Sequence, residues 1–270
     1  MTFSKKESMT RCLKYRKKVL DMSQQVSALH GGGAFSATEI IDLAYFGLMR
    51  KDDSGNFIDT FLMSKGHSCL IQYIILENLK ILSSKDLEFY CKAGGRLGCH
   101  PDYGVPGIEA STGSLGHGMG LAVGMAQADK IKKNDKRIYV ILSDGELQEG
   151  STWENMMMGA NLNTNNIVAL LDHNGSQSFG HTKETHPKFY PIREKVTAFG
   201  WECEEANGHD VNAMYEKVKN RSKEKPFMLI CNTIKGKGIS FMEHKPIWHY
   251  RSPNKEEYQI AIKELKEIEK

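Results

Sequence analysis

Between Ser143 and Gln177 the chain reads S-D-G-E-L-Q-E-G-S-T-W-E-N-M-M-M-G-A-N-L-N-T-N-N-I-V-A-L-L-D-H-N-G-S-Q, and this stretch constrains the fold more than any other. An apolar, β-branched run, Ile138–Leu142, leads into it and stops at Asp144-Gly145. A helical pattern follows from Trp153 to about Asn161. A second strand pattern, Ile167–Leu171, stops in the polar turn Asp172-His173-Asn174-Gly175. Strand, helix and strand at this spacing match a βαβ unit. If the strands are parallel, the crossover is right-handed and both turns lie on one edge of the sheet. Asp144 and Asn174 are then expected to meet at the carboxyl ends of the strands, where open α/β sheets bind ligands.

One carboxylate, one amide oxygen and a nearby backbone carbonyl suit Mg²⁺ or Ca²⁺, with phosphate oxygens and water completing the shell. Gly145 leaves room for a diphosphate to approach the backbone, and the helix start beyond it favours negative charge. Asp-Gly and Asn-Gly are also ordinary turn signals. Their pairing at βαβ spacing, with Glu149 and Glu154 between them, favours the metal-site reading.

Elsewhere strands alternate with helices, which predicts a parallel α/β sheet. Met9 to about Leu29 has helical apolar spacing, and Ser36 with Glu39 fits a capping box for the next helix. Phe57–Met63 reads as a strand ending in Ser64-Lys65-Gly66-His67, followed by a helix from Cys69 to Lys80. Ser83-Ser84-Lys85-Asp86 caps another helix reaching Cys91, and Ala93–Gly120 carries nine glycines. A glycine-rich loop that long inside a compact domain tends to be functional. Its end, Thr112-Gly113-Ser114-Leu115-Gly116-His117-Gly118, opens the helix Met119–Lys132. Ser178–Thr185 reads as a surface loop, Tyr190–Phe199 as a helix and Trp201–Ala206 as a strand. Asn207-Gly208-His209-Asp210 caps Val211–Lys219, Phe227–Ile234 is a buried strand, and a charged helix runs from Asn254 onward.

Composition excludes several classes. A net charge of +3, from 36 basic and 33 acidic residues spread along 270, does not point to nucleic acid. The basic N-terminal cluster alternates with apolar positions, as the solvated face of a helix does. No apolar run approaches the ~18–20 residues of a membrane span, and Met1–Ser8 lacks a secretory apolar core. The six cysteines show no C-x-x-C or metal-type spacing and are expected to be free thiols in a reducing cytoplasm. Cys99 adjoins His100, but chain neighbours rarely face each other as a nucleophilic pair.

Five of the ten histidines, His30, His67, His100, His117 and His249, sit in glycine-rich or post-strand loops. Singly each reads as a surface or hydrogen-bonded histidine, and none has usable zinc spacing. Their loops fall where the carboxyl ends of strands are expected, near the metal stretch, which favours a common role.

Along nearly its whole length the chain resembles the transketolases, and Asp-Gly followed about thirty residues later by Asn is similar to the thiamine diphosphate motif. S-D-G-E-L-Q-E-G with W-E resembles the transketolase form of that motif. Leu29-His30-Gly31-Gly32 is similar to the family's G-H-P-G, with Ala28 and Gly31 departing from its Gly and Pro. S-K-G-H, Leu97-Gly98-Cys99-His100-Pro101, T-G-S-L-G-H-G (His117 for the usual Gln), T-I-K-G-K-G and I-W-H match further segments in the family order. The resemblance implies a thiamine diphosphate-binding fold, a central, mostly parallel sheet with helices on both faces, over residues 1–270 as a single domain. It implies that Asp144, Asn174 and the Ser176 carbonyl hold Mg²⁺, with Ca²⁺ or Mn²⁺ as substitutes. It places Gly145, His67, Lys235 and His249 by the diphosphate, and Gly113, Ser114 and Leu115 along the aminopyrimidine. His30, His67, His100 and His249 would face a ketose, and Glu149 and Glu154 would join a proton network reaching a partner. The implied reaction moves a two-carbon ketol unit from a ketose to an aldose; histidines suit its alkoxide donor and its base because their pKa is near neutral.

A complete transketolase chain is more than twice this length. Its second domain carries the glutamate that activates the aminopyrimidine, and nothing here corresponds to it. The chain is therefore expected to be the N-terminal subunit of a two-chain enzyme, inactive alone and assembled as α₂β₂ or similar. The alternatives are a subunit of another thiamine diphosphate enzyme, such as a 2-oxoacid dehydrogenase or a deoxyxylulose phosphate synthase, or a non-catalytic cofactor-binding subunit.

Overall fold

The computed structural model describes residues 3–26, 29–178 and 180–268. Five strands form one sheet: β1 (Thr60–Met63), β2 (Ile138–Ser143), β3 (Ile167–His173), β4 (Glu202–Asn207) and β5 (Phe227–Asn232). Their spatial order is β1-β2-β3-β5-β4 and every pairing is parallel. The expected parallel α/β architecture is thus present, and all five strands deliver their carboxyl ends to one edge.

The inner strands are continuous apolar runs because both faces are covered. Side chains alternate between two cores. Tyr139, Ile141, Val168, Leu170, Phe227 and Leu229 pack on one face. That face is covered by α1 (Lys5–Ser23), α2 (Gly31–Leu43), α3 (Cys69–Asn78) and two later helices, Val211–Lys219 and Lys255–Ile268. Ile138, Val140, Leu142, Ala169, Leu171 and Met228 pack on the other, under α4 (Gly118–Ile131), α5 (Gly150–Asn161) and α6 (Ile192–Ala198).

Several local expectations need correction. The first helix starts at Lys5, capped by Ser4, and ends at Ser23; Ala28, the departure from the family glycine, lies outside the described residues. The capping box at Ser36 and Glu39 does not form, because α2 already begins at Gly31. Ser36 donates instead to Asp172 at 2.6 Å, and Glu39 takes Arg16 and His209 as partners. Buried tertiary partners outbid the local cap. The Ser83–Asp86 capping box does form, but its helix stops at Glu88 rather than Cys91. β1 begins at Thr60, not Phe57. Ser178–Thr185 is not plain loop: a two-residue ribbon, Ser176–Gln177 with Gly180–His181, precedes a helical turn, Thr182–Thr185.

Candidate active site

The register Ser143↔Asp172 between β2 and β3 places the two polar turns side by side. The backbone N–H of Gly175 donates to the Asp144 carboxylate at 2.6 Å, and Gly145 N–H donates to its other oxygen at 3.2 Å. Gly175 takes φ +69°, a left-handed conformation that suits glycine and turns the chain back toward Asp144. Asn174 and Ser176 are both buried, and the Asn174 amide oxygen accepts from Ser176 N–H at 3.1 Å. The sequence therefore foresaw the meeting of Asp144, Asn174 and Ser176.

Asp144 has no exposed surface and forms no ion pair among the described residues. Burial, with Asp172 adding repulsion, pushes its carboxyl up to about 6. A buried carboxylate beside an amide oxygen, with no cation of its own, fits a hard divalent ion. Among the described residues no three or more His, Cys, Asp or Glu come together to hold a metal. A cation here would rely on one carboxylate, neutral oxygens and phosphate.

Behind this turn lies a buried ion pair that the sequence did not show. Lys65, from the turn after β1, donates to Asp172 and to the Gly33 carbonyl, the latter at 3.3 Å. Asp172 also accepts from Ser36, Thr233 and Asn174, so one carboxylate ties α2 to the ends of β1, β3 and β5. Burial raises the Asp172 carboxyl, but Lys65 outweighs it and the net shift is downward. The only forewarning was a lysine in S-K-G-H and an aspartate in D-H-N; their separation of 107 residues hid the pairing.

His30, His67, His100 and His249 converge as expected. The His30 ring centroid lies 5.3 Å from His67, 6.1 Å from His100 and 5.3 Å from His249. His67 and His249 are 5.5 Å apart, and Tyr250, which sequence reading passed over, lies 4.5 Å from His30. Burial first, then neighbouring cations, lowers His30 to about 4, His249 to about 3 and His67 well below the usual range. These three rings are neutral at neutral pH. His117 does not join them; it is exposed at the start of α4 with Nδ1 3.2 Å from the Ser114 and Leu115 carbonyls. Cys99 and His100 do face each other, Sγ to Nδ1 at 3.3 Å, against the sequence expectation, because the loop turns both side chains to one side.

Two glycines permit the close packing. A Cβ on Gly66 would lie 2.7 Å from the Thr112–Gly113 backbone, and one on Gly113 (φ +135°) would lie 2.4 Å from the His100 ring. The Gly113-Ser114-Leu115 segment is thereby pressed onto S-K-G-H. Glu146, fully buried and not singled out from the sequence, accepts from Ser64 Oγ and from Gly116 N–H, the latter at 3.0 Å. Its second oxygen has no partner among the described residues, and burial raises its pKa. Glu149 and Glu154 are both exposed.

A cavity of about 330 Å³ opens between these parts, with Gly145, Asn174, Ser176 and Lys235 on one side and His67, His249, Leu115 and Glu149 on the other. Lys235 is buried, with Nζ 3.0 Å from His249 Nδ1, and burial lowers its pKa to about 8. The site therefore offers a buried carboxylate for a cation, an ammonium for an anion and neutral imidazoles for a polar, uncharged group.

Comparison with known proteins agrees with this chemistry. The profile described as "Transketolase, thiamine diphosphate binding domain" matches residues 8–264. One of the two subunits of the apulose-4-phosphate transketolase of Phocaeicola vulgatus is 37% identical over 263 residues, 95% of this chain and 93% of that protein. A 6-deoxy-6-sulfo-D-fructose transketolase subunit of a Clostridium species is 34% identical, covering 93% of each. Human transketolase is 34% identical, but the match is 87% of this chain and 38% of that protein. The solved transketolase of Leishmania mexicana superposes with a TM-score of 0.87 at 23% identity, covering 98% of this chain and 42% of that one. The chain spans less than half the length of these full-length enzymes.

Proposed function

Because this chain belongs to the transketolase family and carries its thiamine diphosphate-binding domain, we propose that it is the N-terminal subunit of a two-chain, Mg²⁺-dependent transketolase. It would work in the cytoplasm and move a two-carbon ketol unit from a ketose to an aldose. The carrying observation is the 2.6 Å hydrogen bond from Gly175 to Asp144, which joins the two halves of the cofactor motif beneath a wall of four histidines. Relatives of nearly the same length are named as single subunits of apulose-4-phosphate transketolase, which supports a separate partner chain.

When bound, thiamine diphosphate supplies the carbanion nucleophile and the electron sink for carbon–carbon cleavage. Asp144, Asn174 and the Ser176 carbonyl would hold Mg²⁺ against the diphosphate, with Lys235 balancing its charge. Gly145 lets the diphosphate approach the backbone. Gly113, Ser114 and Leu115 would line the aminopyrimidine. His30, His67, His100 and His249 would bind the ketose hydroxyls, donate to the developing alkoxide and accept the proton released on cleavage. Glu149 and Glu154 would face the partner chain that carries the activating glutamate, in an α₂β₂ assembly. The relatives named for a sugar phosphate and a sulfo-sugar support a ketose bearing a terminal anion.

The test is ketol transfer by the purified chain with thiamine diphosphate and Mg²⁺, alone and with its partner. Activity only in the mixture is expected; robust turnover by the lone chain sinks the two-chain reading. Calorimetric titration of cofactor with and without Mg²⁺ separates an intact site from a non-catalytic one.

A further inference from the structure

Lys235 follows β5, and His249 ends the turn Pro246–His249. Their contact, Nζ to Nδ1 at 3.0 Å, has a direction. An ammonium has three donors and no lone pair, so it can only donate. Lys235, at about 8, is still an ammonium at neutral pH, while His249, lowered by burial and then by Lys235 to about 3, is neutral there. A neutral imidazole carries one N–H, and a nitrogen that accepts does not bear it. We propose that Lys235 is a positioning residue that fixes His249 as the Nε2–H tautomer, making His249 a hydrogen-bond donor, not a base, toward a substrate oxygen among the histidines. This deepens the function proposed above and rests on it for the identity of that oxygen.

The lysine is itself held in place. Thr233 N–H donates to the His173 carbonyl at 2.9 Å and its hydroxyl to Asp172. Ile234 N–H donates to His209 Nε2 at 2.9 Å, and the opposite nitrogen of His209 lies 2.9 Å from Glu39. By the same logic His209 is the Nδ1–H tautomer, locked between a backbone donor and a buried carboxylate. Glu39 is in turn paired with Arg16, which outweighs burial and holds its carboxyl at about 2. A Cβ on Gly32 would lie 2.8 Å from the Trp248 carbonyl and 3.2 Å from Lys235 Cγ, so glycine lets the lysine stem and the His249 turn close on α2. With Nδ1 occupied, the unused face of His249 is left to the cavity and to the rings of His30 and His67. The proton-accepting role then falls to the other three histidines.

The full chain, labelled with ¹⁵N-histidine, reports the tautomer directly by long-range ¹⁵N–¹H NMR at neutral pH, with His249→Asn assigning the signal. A bare Nδ1 and a protonated Nε2 are expected for His249. Lys235→Met should give a tautomer mixture, and Lys235→Arg should keep the wild-type signal. In the assembled two-chain enzyme, at saturating thiamine diphosphate and Mg²⁺, Lys235→Met should lower kcat about tenfold with little change in ketose KM, and Lys235→Arg should recover most of it. A lysine that only neutralises diphosphate would raise the cofactor requirement and leave kcat at saturation intact. An Nδ1–H tautomer in the wild type, or a signal unmoved by Lys235→Met, overturns the inference. The NMR readout needs no turnover, so the expected tautomer with a silent assay would overturn the proposed function instead.

Discussion

Asp144 is a carboxylate with no exposed surface and no ion pair among the described residues, so its charge is a cost until a cation arrives. Its folded pKa of about 6 lies above the unfolded value of about 3.9. The penalty is therefore full above pH 6 and is relieved as pH falls through 6. Asp144→Asn should leave the cation-free chain at least as stable as wild type. It should also abolish the rise in melting temperature that Mg²⁺ with thiamine diphosphate gives the wild type, as calorimetry would show; an undiminished rise would place the cation elsewhere. The histidines have the opposite sign. His30, His67 and His249 are held below their unfolded value of about 6.5. Above that pH they cost nothing, and below it the unfolded chain takes up protons that the folded chain refuses. Three such rings outweigh one relieved carboxylate, even after allowing for the partial exposure of His30 and His249. Melting temperature should fall between pH 6.5 and 4, and His249→Asn should flatten that slope; an unchanged slope would contradict the neutral cluster.

At the scale of elements, what matters is how closely two loops approach. Gly66 sits where the S-K-G-H turn meets Thr112 and Gly113, and a methyl group there would stand 2.7 Å from backbone atoms. Backbone cannot yield as a flexible side chain does, so Gly66→Ala should cost about 1–3 kcal/mol and push His67 away from the Gly113 segment. Loss of cofactor binding by a variant that still melts cooperatively is the expected result; tight binding would show that the loops can slide. The strands and helices that carry these loops were legible because burial imposes period two or 3.6 on apolar residues. The pairing of Asp144 with Asn174 was legible because two strand ends and one crossover fix it. Lys65 with Asp172 was not, since partners 107 residues apart leave no local trace. Ser36 misled for a related reason: a serine three residues before a glutamate looks like a cap, while its real partner belongs to β3. Glu146 was overlooked because it lies between Asp144 and Glu149, and only the fold shows that it reaches Gly116 and Ser64.

For the whole molecule, the proposed two-chain enzyme requires a face on which the partner can sit. α5 presents Glu154, Met157 and Met158 at helical spacing, and the two methionines are 51% and 50% exposed. Leu121, on the neighbouring α4, is 38% exposed. Methionine adapts to an irregular partner surface, and contiguous exposed apolar side chains mark interaction sites more often than chance exposure. Glu154 beside them would supply the carboxylate expected to reach the partner. Met158→Asp places a charge where an apolar contact is to be buried, yet it touches nothing in the core of the free chain. Its melting temperature should stay within about 2 °C of wild type, as surface changes of a few tenths of a kcal/mol imply for a chain this size. Its association with the partner chain, followed by sedimentation velocity, should weaken at least tenfold, and ketol transfer should fall with the fraction of complex. Raising the partner concentration should then restore activity, because the cofactor site itself is untouched. Full association by Met158→Asp would show that this face remains in solvent and that the partner docks on another surface.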